Sequence, residues 1–496
     1  MNCPPKPHLT FRIGVTGHRP GLQLAAESLA RAQSQIADIF KSANDALTQA
    51  HRQFQASYSS TSPQLRVISS IAEGADRIAA KAALACGLQL EVILPLDRQS
   101  YEVDFSTQES RNEFAELLAR ASAILEISDN SQVSTREQAY AAAGEELLAQ
   151  CDLLLTVWDG APGRGQGGTA EVLRTAHRLG IPYVWIHATR DVEPAIIAYP
   201  VKGVTRERES WSAQLQSVIL GLVLPPGSPE GDSILRRDLA RSAAAKSDNY
   251  FAENEHNARW ALPYDLFGWI FAGRVPRRKS KIRKLSDRAS EWKGFLNALP
   301  EIGELKRKLN SILLERYVWA DHLATHYANI YRSTYVTIFG LAGLAVCVGL
   351  LSSFEDRDEI TKAALIGFEV GLISIIVWLI HRGRGRAWHA RWLDYRQIAE
   401  ALRHARFLAL TGRLTYGYSE EGVKTKLLIS GLHGMCVRVY ENLDYLAAER
   451  IKSTSRPSFE LQSCTKLIPK LHFIWRMRVN LQYSVIHLKV SALFCS

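Results

Sequence analysis

Cysteine is scarce and scattered in this 496-residue sequence: Cys3, Cys86, Cys151, Cys347, Cys436, Cys464 and Cys495, with no CxxC pair among the seven. Such spacing speaks against a cysteine-built zinc site and for a reducing compartment. The opening segment MNCPPKPHLT has no apolar core of the kind a cleaved signal peptide needs, so none is expected. There is no GxxxxGK(S/T) loop, which argues against an ordinary ATPase or GTPase, and no GxGxxG turn, which argues against a standard dinucleotide dehydrogenase. His322 and His326 stand four apart, but no carboxylate occupies the HExxH place and no third ligand is evident. No metal site is therefore expected. From Cys464 to Ser496 there is no acid at all, and no function is assigned to this basic end.

What the sequence has in abundance is apolar residues in two long runs. Tyr335 to Phe354 is twenty residues without a formal charge, and Ala363 to Ile380 is eighteen with one, Glu369. Each is long enough to cross a hydrocarbon core of about 30 Å as a helix rising about 1.5 Å per residue. The eight residues between them, Glu355 to Lys362, hold four acids and two bases. Too polar for lipid and too few for a domain, they predict a two-helix membrane hairpin; the alternative is a pair of buried helices in a large soluble protein. Arg332 precedes the first run, and Arg382, Arg384, Arg386 and Arg391 follow the second, against Arg357 and Lys362 in the loop. That bias predicts that both long arms are cytoplasmic.

Glu369 sits between Gly367 and Gly371, a GxxxG pair that lets another helix approach closely. At about 100° per residue the acid lies opposite the glycines. If the glycines pack against the sister helix, the carboxylate faces another subunit or a wet lumen. The alternative is a protonated acid bonded to a backbone carbonyl.

The net charge of +10 and pI near 9.2 suit anionic lipid as well as nucleic acid. From Phe11 to His187, six short apolar runs alternate with helical patterns: Phe11 to Thr16, Leu65 to Ser69, Leu90 to Leu94, Ala123 to Ile127, Leu153 to Val157 and Tyr183 to His187. Helical segments such as Leu22 to Ala50, Ala72 to Cys86 and Thr135 to Gln150 lie between them. This alternation predicts an α/β fold, a Rossmann-like, doubly wound parallel sheet, followed by an α-helical two-transmembrane domain.

Ligands of such sheets bind at the carboxyl ends of the strands. After the first run comes Thr16-Gly17-His18-Arg19-Pro20, and after the second Ser69-Ser70-Ile71-Ala72-Glu73-Gly74-Ala75-Asp76. The fifth leads into Trp158-Asp159-Gly160 and then the glycine-rich segment ending Gly167-Gly168-Thr169. Glycine turns ahead of helices offer backbone amides to an anion. The candidate ligand-binding residues are therefore Gly17, His18, Arg19, Ser70, Glu73, Gly74, Asp76, Asp159, Gly167, Gly168 and Thr169, for a nucleotide-derived small molecule and no other cofactor. Each turn alone is as well explained by chain reversal.

Val15-Thr16-Gly17-His18-Arg19, Ser70-Ile71-Ala72-Glu73-Gly74-Ala75-Asp76-Arg77 and Gly167-Gly168-Thr169 resemble the SLOG superfamily, the Rossmann-like group of Smf/DprA proteins and LOG phosphoribohydrolases. The resemblance covers about residues 10 to 190 and implies a nucleotide-ligand-binding domain. The LOG catalytic glutamate falls three residues beyond the threonine, where this chain has Val172; the nearest acid, Glu171, comes one residue early. One helical position rotates a side chain by about 100°. That favours binding over hydrolysis, and no catalytic residue is assigned. Glu73, Asp76 and Glu171 remain candidate acids for the competing activity, a membrane-tethered nucleotide or NAD glycosidic hydrolase.

Residues 191 to 250 lose the strand rhythm and gain charge and proline, and residues 191 to 300 are expected to form a linker and basic juxtamembrane region. It contains an aromatic stretch, Trp260 to Phe271, and then seven bases in the eleven residues Arg274 to Lys284. The basic run suits an anionic inner leaflet, with a solvated loop as the alternative. A DNA-binding role for it is the weakest of the readings, and nucleic acid is not expected as a partner. Residues 301 to 425 form the helical domain and 426 to 496 an uncertain tail. The two spans, Arg386-Ala387-Trp388, Trp392-Leu393-Asp394-Tyr395-Arg396 and Glu400-Ala401-Leu402-Arg403 resemble the SLATT group of two-transmembrane effectors. That resemblance implies a homo-oligomeric membrane pore acting downstream of a nucleotide sensor in prokaryotic defence. The chain is expected in the inner membrane, its lipid partner, with Gly367, Glu369 and Gly371 at the pore or subunit contact.

Overall fold

All six apolar runs form strands, within a residue or two of their expected limits. They are β1 (Thr10–Gly17), β2 (Gln64–Ser69), β3 (Gln89–Leu94), β4 (Ala123–Glu126), β5 (Leu153–Trp158) and β6 (Tyr183–His187). A short seventh strand, β7 (Ala195–Ile197), adds an antiparallel edge to β6. The sheet order is β4-β3-β2-β1-β5-β6-β7, and every pair but the last is parallel. The structure, a computed structural model, describes residues 3–19, 26–55, 57–127, 135–161, 167–198, 210–223, 246, 248–254, 262–272, 292, 294, 306–307, 309–353 and 358–410. The basic run at 274–284, Pro20, the glycine-rich residues 162–166, the loop residues 354–357 and the tail from 411 lie outside them.

The strands are apolar on both faces because helices cover both. Leu153, Leu155, Val157, Val184 and Ile186 face a core shared with α1 (Ala26–Gln53), α2 (Ala75–Ala85) and α7 (Trp211–Val223). Ile68 and Leu154 face the opposite core, with α5 (Arg136–Gln150) and α6 (Thr169–Leu179). Each such side chain contributes roughly 1.5–3 kcal/mol on burial. Between β3 and β4 the chain makes α3 (Arg98–Glu102) and α4 (Gln108–Ala119), anchored by the edge-to-face rings of Tyr101, Phe105 and Phe114. One charged group ties the centre of the sheet: the buried Glu91 carboxylate lies 2.7 Å from Arg66 and 3.6 Å from the equally buried Arg12, linking β3, β2 and β1.

Beyond the sheet, the described residues are mainly helical. A short α8 (Leu262–Ala272) is followed by a π-helical turn at Leu309–Leu314 that runs straight into α9 (Glu315–Ser352). Then come α10 (Glu359–Gly385) and α11 (Trp388–Leu410). Asp358 caps α10 by accepting the Thr361 amide at 3.1 Å, and Ala387, with φ +48°, turns the chain sharply into α11. The charge-free run from Tyr335 is thus the upper part of a helix that begins at Glu315.

Two of these helices are long and apolar enough to cross a membrane. Only 11% of the apolar window of the first and 6% of that of the second is buried. Helices at the core of a soluble protein would be mostly covered. Below the exposed part, Tyr317, Trp319, Leu323 and Tyr327 of α9 pack on Tyr395, Ile398, Leu402 and Ala405 of α11. Inside that core the buried Glu253 carboxylate accepts hydrogen bonds from Tyr327 (2.6 Å), Arg391 (2.7 Å) and Tyr395 (3.0 Å). Arg316, at the start of α9, donates to the Lys6 carbonyl at 3.0 Å, joining the helical half to the segment that leads into β1.

Candidate functional site at the carboxyl edge of the sheet

The strand order reverses direction between β1 and β5. β1 leads by α1 to β2 on one side, whereas the crossover through α5 delivers β5 to the other side. At such a switch point two loops leave the sheet in opposite senses and open a crevice. His18, just past β1, and Asp159, just past β5, meet there.

His18 is fixed by its backbone. Its N–H donates to the Val157 carbonyl at 3.0 Å and its carbonyl accepts the Ala75 amide at 3.2 Å, joining β1 to both β5 and α2. The imidazole Nε2 then lies 2.8 Å from the Asp159 carboxylate. Asp159 also accepts the Ala161 amide at 2.9 Å in a turn whose Gly160 has φ +84°. Burial alone works to raise its pKa, but the Ala161 amide and the His18 ring outweigh this and hold the carboxyl below its usual range. Gly17 is dictated by packing: a Cβ there would stand 2.4 Å from the Ala75 Cβ.

Arg19 is half exposed and lies over the Tyr140 ring at 5.3 Å. Asp104 stands 4.0 Å from its guanidinium, and the same carboxylate is bonded by Arg136 and by the Tyr140 hydroxyl. Burial works to lower the Arg19 pKa, yet its hydrogen bond to Tyr140 and the field of Tyr101 and Asp104 hold it above the usual guanidinium value.

The β2–α2 turn is strained. Ile71, β-branched and fully buried, has φ +45°, a conformation that costs of order 1–3 kcal/mol. Its amide is held by Ser69 Oγ at 3.1 Å and its carbonyl by Arg77 Nε at 3.2 Å. Gly74, φ +95°, ends the turn and caps α2. Asp76, buried in the first turn of α2, reaches back to the amides of Ala72 and Ser70. Those amides are therefore engaged by the protein's own carboxylate. Burial pushes the Asp76 carboxyl up to about 7, against the opposing pull of those amides, Arg19 and Arg77. Glu73 accepts from the Ser110 hydroxyl on α4, one step outside the crevice.

At the third loop, Gly167 has φ +78°, and a Cβ there would lie 2.7 Å from the Tyr140 Cβ. Gly168 caps α6 and Thr169 begins it. The Gly167 amide donates to Glu171 at 2.6 Å, so this acid is turned back on its own helix start. Val172, the next residue of α6, is buried against Gly144 of α5; a Cβ on that glycine would lie 2.8 Å from it. No family model, curated protein or solved structure matches the chain.

The structure thus joins His18 with Asp159, sets Arg19 in the field of Asp76, and brings Gly167 against Tyr140, the residue on which Arg19 also lies. Sequence reasoning missed Tyr140, Asp104, Tyr101 and Arg136. In a parallel sheet every crossover helix begins at the carboxyl edge, so the first turns of α3 and α5 were the place to look. Among the described residues no three His, Cys, Asp or Glu come together as a metal site.

In the hairpin the condition set for a lumen-facing Glu369, that the glycines pack on the sister helix, is not met. Gly367 and Gly371 are exposed, and a Cβ on either would meet nothing within 4 Å. Glu369 instead faces the sister helix, where a Cβ on Gly349 would lie 3.1 Å from its carboxylate. Leu365, Leu372, Ala345 and Val348 pack in the same seam. The seam repeats at helical spacing, and the small Gly349 gives the acid its space.

Proposed function

We propose that this chain is a membrane-anchored sensor and effector of a prokaryotic defence or conflict system. The carboxyl edge of the sheet binds a nucleotide-derived signal. The hairpin, assembled from several copies, opens or disrupts the inner membrane, with both arms in the cytoplasm. The observation that carries this reading is the meeting of His18 and Asp159 at the switch point, where open parallel sheets take their ligands. Arg19 and the start of α6 at Gly168 and Thr169 add the positive character an anionic ligand needs. The exposed apolar windows of α9 and α10 support lipid contact. The resemblances to the SLOG and SLATT groups join the two halves.

Two helices cannot enclose a water-filled path, so several subunits must contribute. The ligand acts by binding one assembly state better than another. The test is thermal unfolding of the full chain in detergent with cyclic oligonucleotides, NAD and ADP-ribose derivatives. A rise in melting point with one of them, lost in Arg19→Ala and Thr169→Val, is expected. Silence from every member on a well-folded protein would remove the nucleotide-sensor reading.

Asp76 favours a second reading. A buried carboxyl titrating near 7 beside a guanidinium has the pKa of a general acid. Glycosidic cleavage of NAD or a nucleoside monophosphate by the purified chain, abolished in Asp76→Asn, would establish the hydrolase instead.

A further inference from the structure

The eleven residues of α8, LPYDLFGWIFA, contain one charge. In a helix packed on water, the exposed arc should be polar. Here it is the reverse: Leu266, Phe267, Trp269, Ile270 and Phe271 are 44–74% exposed. At about 100° per residue these five cover an arc roughly 200° wide, while Tyr264, Asp265 and Gly268 cluster on the remaining side. Tyr264 fixes where the helix lies. Its ring takes the Arg332 guanidinium at 5.6 Å, and the same guanidinium lies over Trp392 of α11 at 5.3 Å. Arg332 stands three residues before Tyr335, where the charge-free run of α9 begins. From Tyr335 onward α9 exposes Phe339, Leu344, Val346 and Leu350. The apolar arc of α8 therefore lies beside the lower limit of the apolar surface of the hairpin.

We propose that α8 is a third lipid-contacting element: it lies in the plane of the bilayer surface at the level of Arg332, its arc set between headgroups and acyl chains. This rests on α9 and α10 being membrane spans. Eleven residues rise about 16 Å, half of what a span requires, so α8 does not cross. Its make-up is that of an interfacial helix: tyrosine and tryptophan prefer the headgroup level, and phenylalanine, leucine and isoleucine enter the acyl boundary. Arg332, shared between Tyr264 and Trp392, sits where a phosphate headgroup can meet it.

The test places 4-benzoylphenylalanine at Phe271 or, separately, at Phe267 in the full chain, reconstituted into phosphatidylethanolamine and phosphatidylglycerol vesicles. Phe339 on α9 reports the span, and Val103, 74% exposed beside the sheet, reports background. After irradiation, mass spectrometry is expected to find lipid adducts at 271, 267 and 339, roughly tenfold or more above any at 103. Lipid adducts at 339 with only protein adducts, or none, at both 271 and 267 would overturn the proposal and make α8 a protein-docking face. Absence of lipid adducts at 339 as well would overturn the span reading, and the proposal with it.

Discussion

The imidazole of His18 and the carboxylate of Asp159 lie 2.8 Å apart although 141 positions separate them in the chain. They face each other across the crevice between β1 and β5, His18 held by its backbone bond to Val157 of β5 and Asp159 by the Ala161 amide of its own turn. The Asp159 charge is thus part of the fold as well as of the candidate site.

Acid stability should report that role. The Asp159 pKa is lower in the folded chain than in the unfolded one, so its contribution is present above about pH 4 and is lost as pH falls through the folded value. Melting points taken at pH 5 and pH 3 are expected to differ less in Asp159→Asn than in the parent chain. An unchanged difference would mean that the His18 contact is not formed.

Asp76 should act with the opposite sign. Its folded pKa, about 7, exceeds the unfolded value, so the folded state holds the proton longer. Stability should therefore fall as pH rises from about 4 to about 7, by as much as roughly 4 kcal/mol, and level off above. In Asp76→Asn, which keeps an acceptor for the Ala72 and Ser70 amides, the slope between pH 4 and 7 is expected to flatten. Thermal melts across that window measure it directly.

At the centre of the sheet, Glu91→Gln removes the carboxylate that Arg12 and Arg66 share. Leaving a buried guanidinium without its counter-charge costs about 3 kcal/mol or more. Denaturant melts of the purified chain should show this loss, while Glu102→Gln, on an exposed pair with Arg98, should be nearly neutral.

The hairpin seam gives a contrast between glycines. Gly349→Leu drives a side chain into the Glu369 carboxylate and should destabilise the hairpin by about 1–3 kcal/mol. Gly367→Leu and Gly371→Leu meet open space and should fold as the parent does. Thermal stability in detergent separates the three. Any loss of assembly in the latter two then reflects contacts between copies and not the hairpin itself.

The sheet was legible because its runs are dominated by apolar residues pointing to both faces, the mark of strands covered on both sides, and Leu153 to Val157, interrupted by Thr156 alone, is the clearest case. β7 was not, since three residues, Ala195 to Ile197, carry too little pattern. α3 and α4 hide among charges, with Tyr101, Phe105, Phe114, Leu117 and Leu118 as their anchors. The site was half visible. Loops after β1, β2 and β5 announce themselves by glycine, but the link from Arg19 to Tyr140 and Asp104 depends on where α3 and α5 start, which tertiary packing decides. Helical spacing also placed Glu369 opposite Gly367 and Gly371, yet it could not say which side turns inward; the free volume at Gly349 decided that.

From Glu315 to Ser352, α9 runs 38 residues without a break, about 57 Å of rod. Its lower part is clamped by α11 and by the Glu253 hydrogen bonds, and its upper part carries the apolar window. No proline interrupts the rod between its two ends. By geometry alone, a tilt of this helix about Arg316, where the segment before β1 is attached, would displace Ser352 sideways in proportion to the length of rod between them.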